Sequence, residues 1–171
     1  MIDPMPPMKL LPDSIMKVLN DHDVYFVVIG GIALSAHWAT RATKDIDIVP
    51  DTTAENLDRL WAALTDLEAS PLPTTDFEPN ELPLSWERAS LDYGGNWLLA
   101  TRFGRLAILQ YVAGVDGYRD LRDDALGLLN DTAGRIWFAG RDDLIAMKRA
   151  AGRPQDLIDI ERILAEASRN E

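Results

Sequence analysis

Apolar residues recur along this chain with two different periods. From Lys9 to His22, the residues Leu10, Leu11, Ile15, Met16, Val18 and Leu19 fall at helical spacing and predict a first helix over residues 9–22. Val24 to Ile29 is an unbroken apolar run, too short for a helix and rich in β-branched and aromatic residues, so it reads as a buried strand. Gly30-Gly31 ends that run, and Ile32 to Trp38 begins a helix. Thr43 to Val49 alternates polar with apolar and reads as a second strand, closed by Pro50-Asp51.

Leu57, Leu60, Trp61, Leu64 and Leu67 place an amphipathic helix over residues 53–67. Ser70 to Pro83 carries Pro71, Pro73, Pro79 and Pro83 among several acids and reads as a long loop. Trp97–Thr101 and Arg105–Val112 predict an antiparallel pair around Phe103-Gly104. A helix is expected over 118–129, a short strand over 135–138, and a helix from Leu144 to Ala151 with Asp142 or Asp143 as its N-cap. Gly152-Arg153-Pro154 interrupts the pattern before a last helix over 156–167. The expected fold is a single α/β (α+β) domain over residues 1–171, a small mixed β-sheet flanked by helices. Residues 140–171 form its C-terminal helical portion.

Composition narrows the function classes. At 171 residues, with 47% apolar and 26% charged, the chain is long enough to bury a core. No apolar run reaches bilayer length, and the first residues lack the basic and apolar regions of a secretory leader, so a cytoplasmic location is expected. There are no cysteines and only two histidines, which argues against disulfides, thiolate metal sites and a histidine-rich zinc site. Seventeen basic residues against 28 acidic give a formal charge of −11, unsuited to a broad grip on nucleic-acid backbone.

The candidate chemistry lies between residues 30 and 47. On a strand, Asp45 and Asp47 are two positions apart and share a face, so their carboxylates project the same way. Close like charges resist joint ionisation unless a cation lies between them, and paired oxygen ligands suit Mg²⁺. A solvated strand face is the plainer reading of the same pair. Likewise Gly30-Gly31 is either a tight turn needing positive φ or a place where backbone approaches an anionic ligand at a helix start.

The run Val28-Ile29-Gly30-Gly31-Ile32-Ala33-Leu34, continuing through His37 and Arg41 to Thr43-Lys44-Asp45-Ile46-Asp47-Ile48, resembles the nucleotidyltransferase superfamily signature. That signature is an apolar residue, Gly and Gly or Ser, followed by Asp, apolar, Asp or Glu, apolar. The detail most resembles the small bacterial AbiEii/MenT-like toxins of toxin–antitoxin pairs. The stretch Asp143 to Asp159, with Lys148 on a helix and Arg153-Pro154-Gln155-Asp156 after it, is similar to that group too.

The resemblance implies a metal-dependent transfer of a nucleoside monophosphate from an NTP such as ATP to an acceptor hydroxyl. The implied acceptor is tRNA or another RNA, with an antitoxin protein as partner. A small-molecule acceptor such as an antibiotic is the alternative, and fits the −11 charge better. Gly30 and Gly31 would hold the nucleotide phosphates and Asp45 and Asp47 would bind Mg²⁺ or Mn²⁺. Thr43 would contact phosphate, as would Arg105; Arg41 would contact phosphate or pair with the acids. Lys148 would neutralise triphosphate charge; otherwise it is a helix-surface lysine beside Asp142 and Asp143. Arg153 and Asp156 are expected to pair and fix the last helix.

One position departs from the superfamily pattern. A third carboxylate is expected from a later strand, in a basic–apolar–Asp–apolar segment. Here the match is Arg105-Leu106-Ala107-Ile108, and an alanine methyl neither ligates a cation nor accepts a proton. Three explanations stand: a nucleotide binder that has lost catalysis, a residue altered to silence the site, or replacement by another acid such as Asp92 or Asp116. His37 is expected to pack or hydrogen-bond near the site, His22 to end a helix, and Trp86 and Trp97 to lie towards the acceptor side.

Overall fold

The computed structural model describes residues 8–37, 42–73 and 85–170. Its centre is a seven-stranded mixed sheet in the order β3-β4-β5-β2-β1-β7-β6. The strands are β1 (Phe26–Ile29), β2 (Asp45–Pro50), β3 (Ser70–Pro71), β4 (Trp97–Thr101), β5 (Gly104–Ile108), β6 (Leu126–Asn130) and β7 (Gly134–Phe138). The helices are α1 (Pro12–Asp21), α2 (Gly30–His37), α3 (Ala54–Asp66), α4 (Tyr118–Asp123), α5 (Arg141–Ala151) and α6 (Pro154–Arg169). The expected mixed sheet flanked by helices is therefore the fold. β1 runs antiparallel to β2 and parallel to β7, and β2 runs parallel to β5.

The period-2 pattern of β2 sorts its side chains. Ile46 and Ile48 are fully buried, as are Leu106 and Ile108 beside them on β5, whereas Asp45, Asp47, Arg105 and Ala107 are half-buried on the other face. Ile15 and Leu19 of α1 and Leu60 and Leu64 of α3 join the same core as the isoleucines. Each fully buried Leu or Ile contributes roughly 1.5–3 kcal/mol relative to exposure. On the opposite face, Asp45 and Asp47 lie beside the buried apolar Ile29, Val27 and Val49. No described helix is long and apolar enough to cross a membrane.

Several expectations change. Leu126, Leu128 and Leu129, read as the end of a helix over 118–129, form β6 instead, because α4 stops at Asp123 and a hairpin pairs Leu126 with Phe138. The hairpin turn is made locally: Asn130 Oδ1 accepts the N–H groups of Thr132 and Ala133, and Gly134 takes φ +84°. The residue capping α5 is Gly140, with Asp142 and Asp143 inside its first turn. Within the expected loop after Ser70, Ser70–Pro71 pairs with β4, and residues 74–84 lie outside the described part. A 3-10 turn over Arg88–Tyr93 was not foreseen. β5 ends at Ile108 rather than at Val112.

Candidate functional site

Where β1 ends, the chain must turn at once into α2. Gly30 makes that turn with φ +68°, a conformation that L side chains rarely adopt. The neighbouring strand sharpens the requirement. Ile29 pairs with Asp47, and a Cβ placed on Gly30 would run into the Asp47 carboxylate. At Gly31 a Cβ would lie 3.2 Å from Thr43 Cβ, and the Thr43 hydroxyl donates to the carbonyl oxygen of Asp45 at 2.9 Å. The two glycines thus fit against the two ends of the acidic segment, with no side chain between backbone and carboxylate.

The parallel β2–β5 register aligns Asp45 with Arg105 and Asp47 with Ala107. Arg105 Nε lies 2.9 Å from Asp45 Oδ1, close enough for charge pairing. Neither atom has an aligned hydrogen-bond partner, although both are buried. Ala107 thus occupies the strand position beside Asp47 where the superfamily pattern expects an acid. Burial, and next the charge of Asp45, push the Asp47 carboxyl up to about 6, against the opposing pull of Arg153 and Lys148.

Both aspartates and both glycines line one cavity of about 570 Å³, closed on its other side by Leu144, Met147 and Lys148 of α5 and by Arg153. Lys148 is buried rather than on the helix surface, and its partners are not Asp142 and Asp143. Its ammonium lies 2.8 Å from Asp159 Oδ2 and 3.6 Å from Asp156 Oδ1, both on α6. Gln155 Nε2 donates to Asp159 Oδ1 at 3.0 Å. Arg153 Nε donates to Asp156 Oδ2 at 2.6 Å, the ion pair that the sequence suggested, and this pair holds Asp156 below the usual carboxylate range. Sequence reasoning gave Asp159 no role. The available signal was two acids, Asp156 and Asp159, one turn apart on the same helix face as the buried Ile160 and Ile163.

Which cation would these residues accept? Among the described residues, no three His, Cys, Asp or Glu side chains gather around one point. Two carboxylates do share a face, one with a buried oxygen lacking an aligned hydrogen bond and the other raised by burial and next by its neighbour's charge. That donor set fits Mg²⁺, which commonly takes one or two protein carboxylates and completes its shell with substrate phosphates and water. It does not make an all-protein cage.

The remaining candidates lie elsewhere. Arg41 falls outside the described residues. His37 Nε2 donates to the carbonyl oxygen of Ala139 at 2.8 Å, fixing α2 to the end of β7, and His22 caps α1 and pairs with Asp66. Asp92 is exposed and bonded to Arg88, and Asp116 is exposed in the loop before α4. Trp97 shares a sheet face with Ile108, not with Asp47, and meets Trp86 at a tilted interplanar angle of 56°, and Trp86 in turn meets Trp61 of α3. The tryptophans therefore belong to the α3 side and not to the acidic face. A second cavity, about 440 Å³, opens at the other end of β1 around Tyr25, Arg122 and Trp137 and shares none of the site residues.

No protein-family model and no curated protein matches the chain. Solved structures do. The antibiotic-resistance factor ANT(2'')-Ia superposes with a TM-score of 0.55 at 12% identity, over 90% of this chain and 80% of that one. The lincosamide antibiotic adenylyltransferase LnuA, solved with lincomycin bound, gives a TM-score of 0.54 at 14% identity, over 91% of this chain and 97% of its own. At these identities the likeness is one of fold, and the fold is nucleotidyltransferase-like.

Proposed function

We propose that this chain binds an NTP as its Mg²⁺ complex in the 570 Å³ cavity and transfers the nucleoside monophosphate to a small acceptor, releasing pyrophosphate. The observation that carries this reading is the contact between Gly30 and Asp47. The glycine at the helix start lets the Asp47 carboxylate pack directly against its backbone, so a helix start suited to phosphate and a carboxylate pair suited to a cation adjoin one another. Backbone N–H groups at Gly30, Gly31 and the start of α2 would take the phosphates, helped by the positive end of the helix. Asp45 and Asp47 would hold Mg²⁺, or Mn²⁺ in its place. When bound, the cation would neutralise charge developing on the transferred phosphoryl group.

Arg41 and Arg105 remain the candidate phosphate contacts, whereas the Thr43 hydroxyl gives its one proton to the Asp45 carbonyl oxygen. Lys148 would act on the triphosphate through its field, since Asp156 and Asp159 hold its ammonium. The −11 charge supports a small acceptor over RNA, and so do structural neighbours named for antibiotics. A tRNA-directed toxin with a cognate antitoxin rests on the sequence resemblance alone. A nucleotide binder without turnover is favoured by one observation, Ala107 beside Asp47.

Calorimetry with each NTP and Mg²⁺, on the wild-type chain and on Asp45→Asn and Asp47→Asn, tests the reading. Binding should require Mg²⁺ and weaken at least tenfold in either variant. Mg²⁺-independent binding, or none, would sink it. Labelled transfer to small acceptors and to total tRNA then separates the acceptor classes, and binding without transfer to any acceptor supports the turnover-free binder.

A further inference from the structure

We propose that the 440 Å³ cavity around Arg122 and Trp137 is a second ligand site, which takes a small hydroxylated phosphate monoester through Arg122 and Arg135. It stands apart from the nucleotidyl-transfer reading, because the two cavities share no lining residue.

Four elements build it. β7 sends Arg135 and Trp137, two positions apart, to one face. Gly127 faces Trp137 across the β6–β7 pair, and a Cβ on it would lie 2.6 Å from the indole, so the ring rests against backbone. α4 lays Arg122 over that ring, its guanidinium carbon 3.3 Å from the centroid, a cation–π contact that fixes where the guanidinium sits. Tyr118, one turn earlier on α4, lies close to Arg122: burial pushes its phenol pKa up, and the Arg122 charge pulls against that. The guanidinium of Arg135 lies 6.0 Å from the same ring. Asn20 of α1 fixes the strand beneath it, donating to the carbonyl oxygens of Ala133 and Arg135 at 2.7 and 3.0 Å.

A guanidinium stacked on an aromatic ring presents its N–H edge to an anion. Arg122 and Arg135 both line the cavity, and among the described residues neither is in an ion pair. Tyr118 takes at most a small part of the donors that Arg122 carries. The two internal segments outside the described residues join the fold elsewhere. Residues 38–41 follow His37, which is anchored to Ala139 beyond the end of β7, and residues 74–84 follow β3 on the opposite edge of the sheet.

The charge selects the ligand. A phosphate monoester carries about −1.5 to −2 at pH 7, which two guanidiniums match, and their forks fit its oxygens. Asp23, exposed with φ +55°, lines the same cavity and offers acceptors, so the part of the ligand beside it must bring a donor such as a hydroxyl. The volume is within the range of small-molecule sites.

The test is a titration of the ¹⁵N-tryptophan-labelled full chain with ribose 5-phosphate, without Mg²⁺, followed at the indole N–H signals. Trp137→Phe assigns the Trp137 signal. That signal should move saturably while those of Trp61, Trp86 and Trp97 stay still, with a weaker response to inorganic phosphate and none to ribose. Arg135→Gln changes an exposed side chain and should leave the unfolding midpoint in place while raising the Kd about tenfold. Arg122→Lys keeps the charge but not the fork, and should weaken binding as well. Asp23→Ala should narrow the preference for ribose 5-phosphate over inorganic phosphate. A static Trp137 signal, an Arg135→Gln chain that binds like the wild type, or malate bound as tightly as ribose 5-phosphate would overturn the proposal. So would a response lost in Asp47→Asn and kept in Arg135→Gln, which would put the ligand in the other cavity. Calorimetry with Mg²⁺ and NTP bears on that other cavity alone, so failure there leaves this site standing.

Discussion

Ala107 stands beside Asp47 across the parallel β2–β5 pair, on the half-buried face that also carries Asp45. Installing an acid there would set three carboxylates on adjacent positions. Like charges directly opposite one another on a sheet destabilise it, by up to about 1 kcal/mol per pair. Ala107→Asp should therefore lower stability to urea at pH 7 by about that much in the metal-free protein, and Mg²⁺ with NTP should recover it. A loss that ignores Mg²⁺ and nucleotide would mean that the three acids do not meet around a cation.

Gly30 serves the turn and the carboxylate together. In Gly30→Ala the φ of +68° costs about 1–2 kcal/mol, and the added methyl group must displace the Asp47 carboxylate as well. The expected result is loss of Mg²⁺·NTP binding with a stability loss above that of Gly31→Ala, whose methyl would meet Thr43 Cβ at 3.2 Å with no positive φ to oppose it. Parallel calorimetry and unfolding of the two variants would settle the order, and equal effects would contradict the geometry.

The sequence made this much of the site legible because it is local. Period-2 alternation puts Asp45 and Asp47 on one face whatever surrounds them, and a strand running into Gly30-Gly31 announces the turn. Ala107 was found because its strand carries a recognisable pattern. What escaped depends on distance along the chain. Lys148 finds Asp159 eleven residues on, after the helix has broken at Gly152 and reversed, and no helical spacing foretells that pairing. Leu126, Leu128 and Leu129 allow either period, and pairing with β7 decides for a strand. The face on which Trp97 lies follows from its register with Ile108, which composition does not contain.

The cluster joining α5 to α6 makes a prediction about stability. Lys148 is the one ammonium between two nearly fully buried carboxylates, Asp156 and Asp159. Lys148→Met would leave both with less compensation, and breaking a buried pair from one side typically costs about 3–5 kcal/mol. Arg153 is 75% exposed at its side chain, and Arg153→Ala should cost less than about 1 kcal/mol. Chemical denaturation at pH 7 compares them directly. An Arg153 effect as large as that of Lys148 would place the strength of the helix junction in the wrong pair.

Asp47 should leave its mark on the pH dependence of stability. Its carboxyl is raised from 3.8 to about 6, by burial first and by Asp45 second. A raised acid holds its proton more tightly in the folded than in the unfolded chain, so the protonated group favours folding at low pH. That advantage is lost as pH climbs from about 4 through about 6, where the folded state must carry a charge that the unfolded state ionises freely. Asp47→Asn removes this titration. The variant should match the wild type near pH 4 and exceed its stability above pH 6 by on the order of 2 kcal/mol, with the gap opening between those values. Urea unfolding at half-unit steps from pH 4 to 7.5 measures the difference curve, in which the other titrating groups cancel. A bound Mg²⁺·NTP favours the carboxylate, so the same series with ligand should show the gap closed or reversed. A difference curve flat across the window would mean that Asp47 ionises there as freely as in the unfolded chain, and the electrostatic case for a cation between the two aspartates would fall with it.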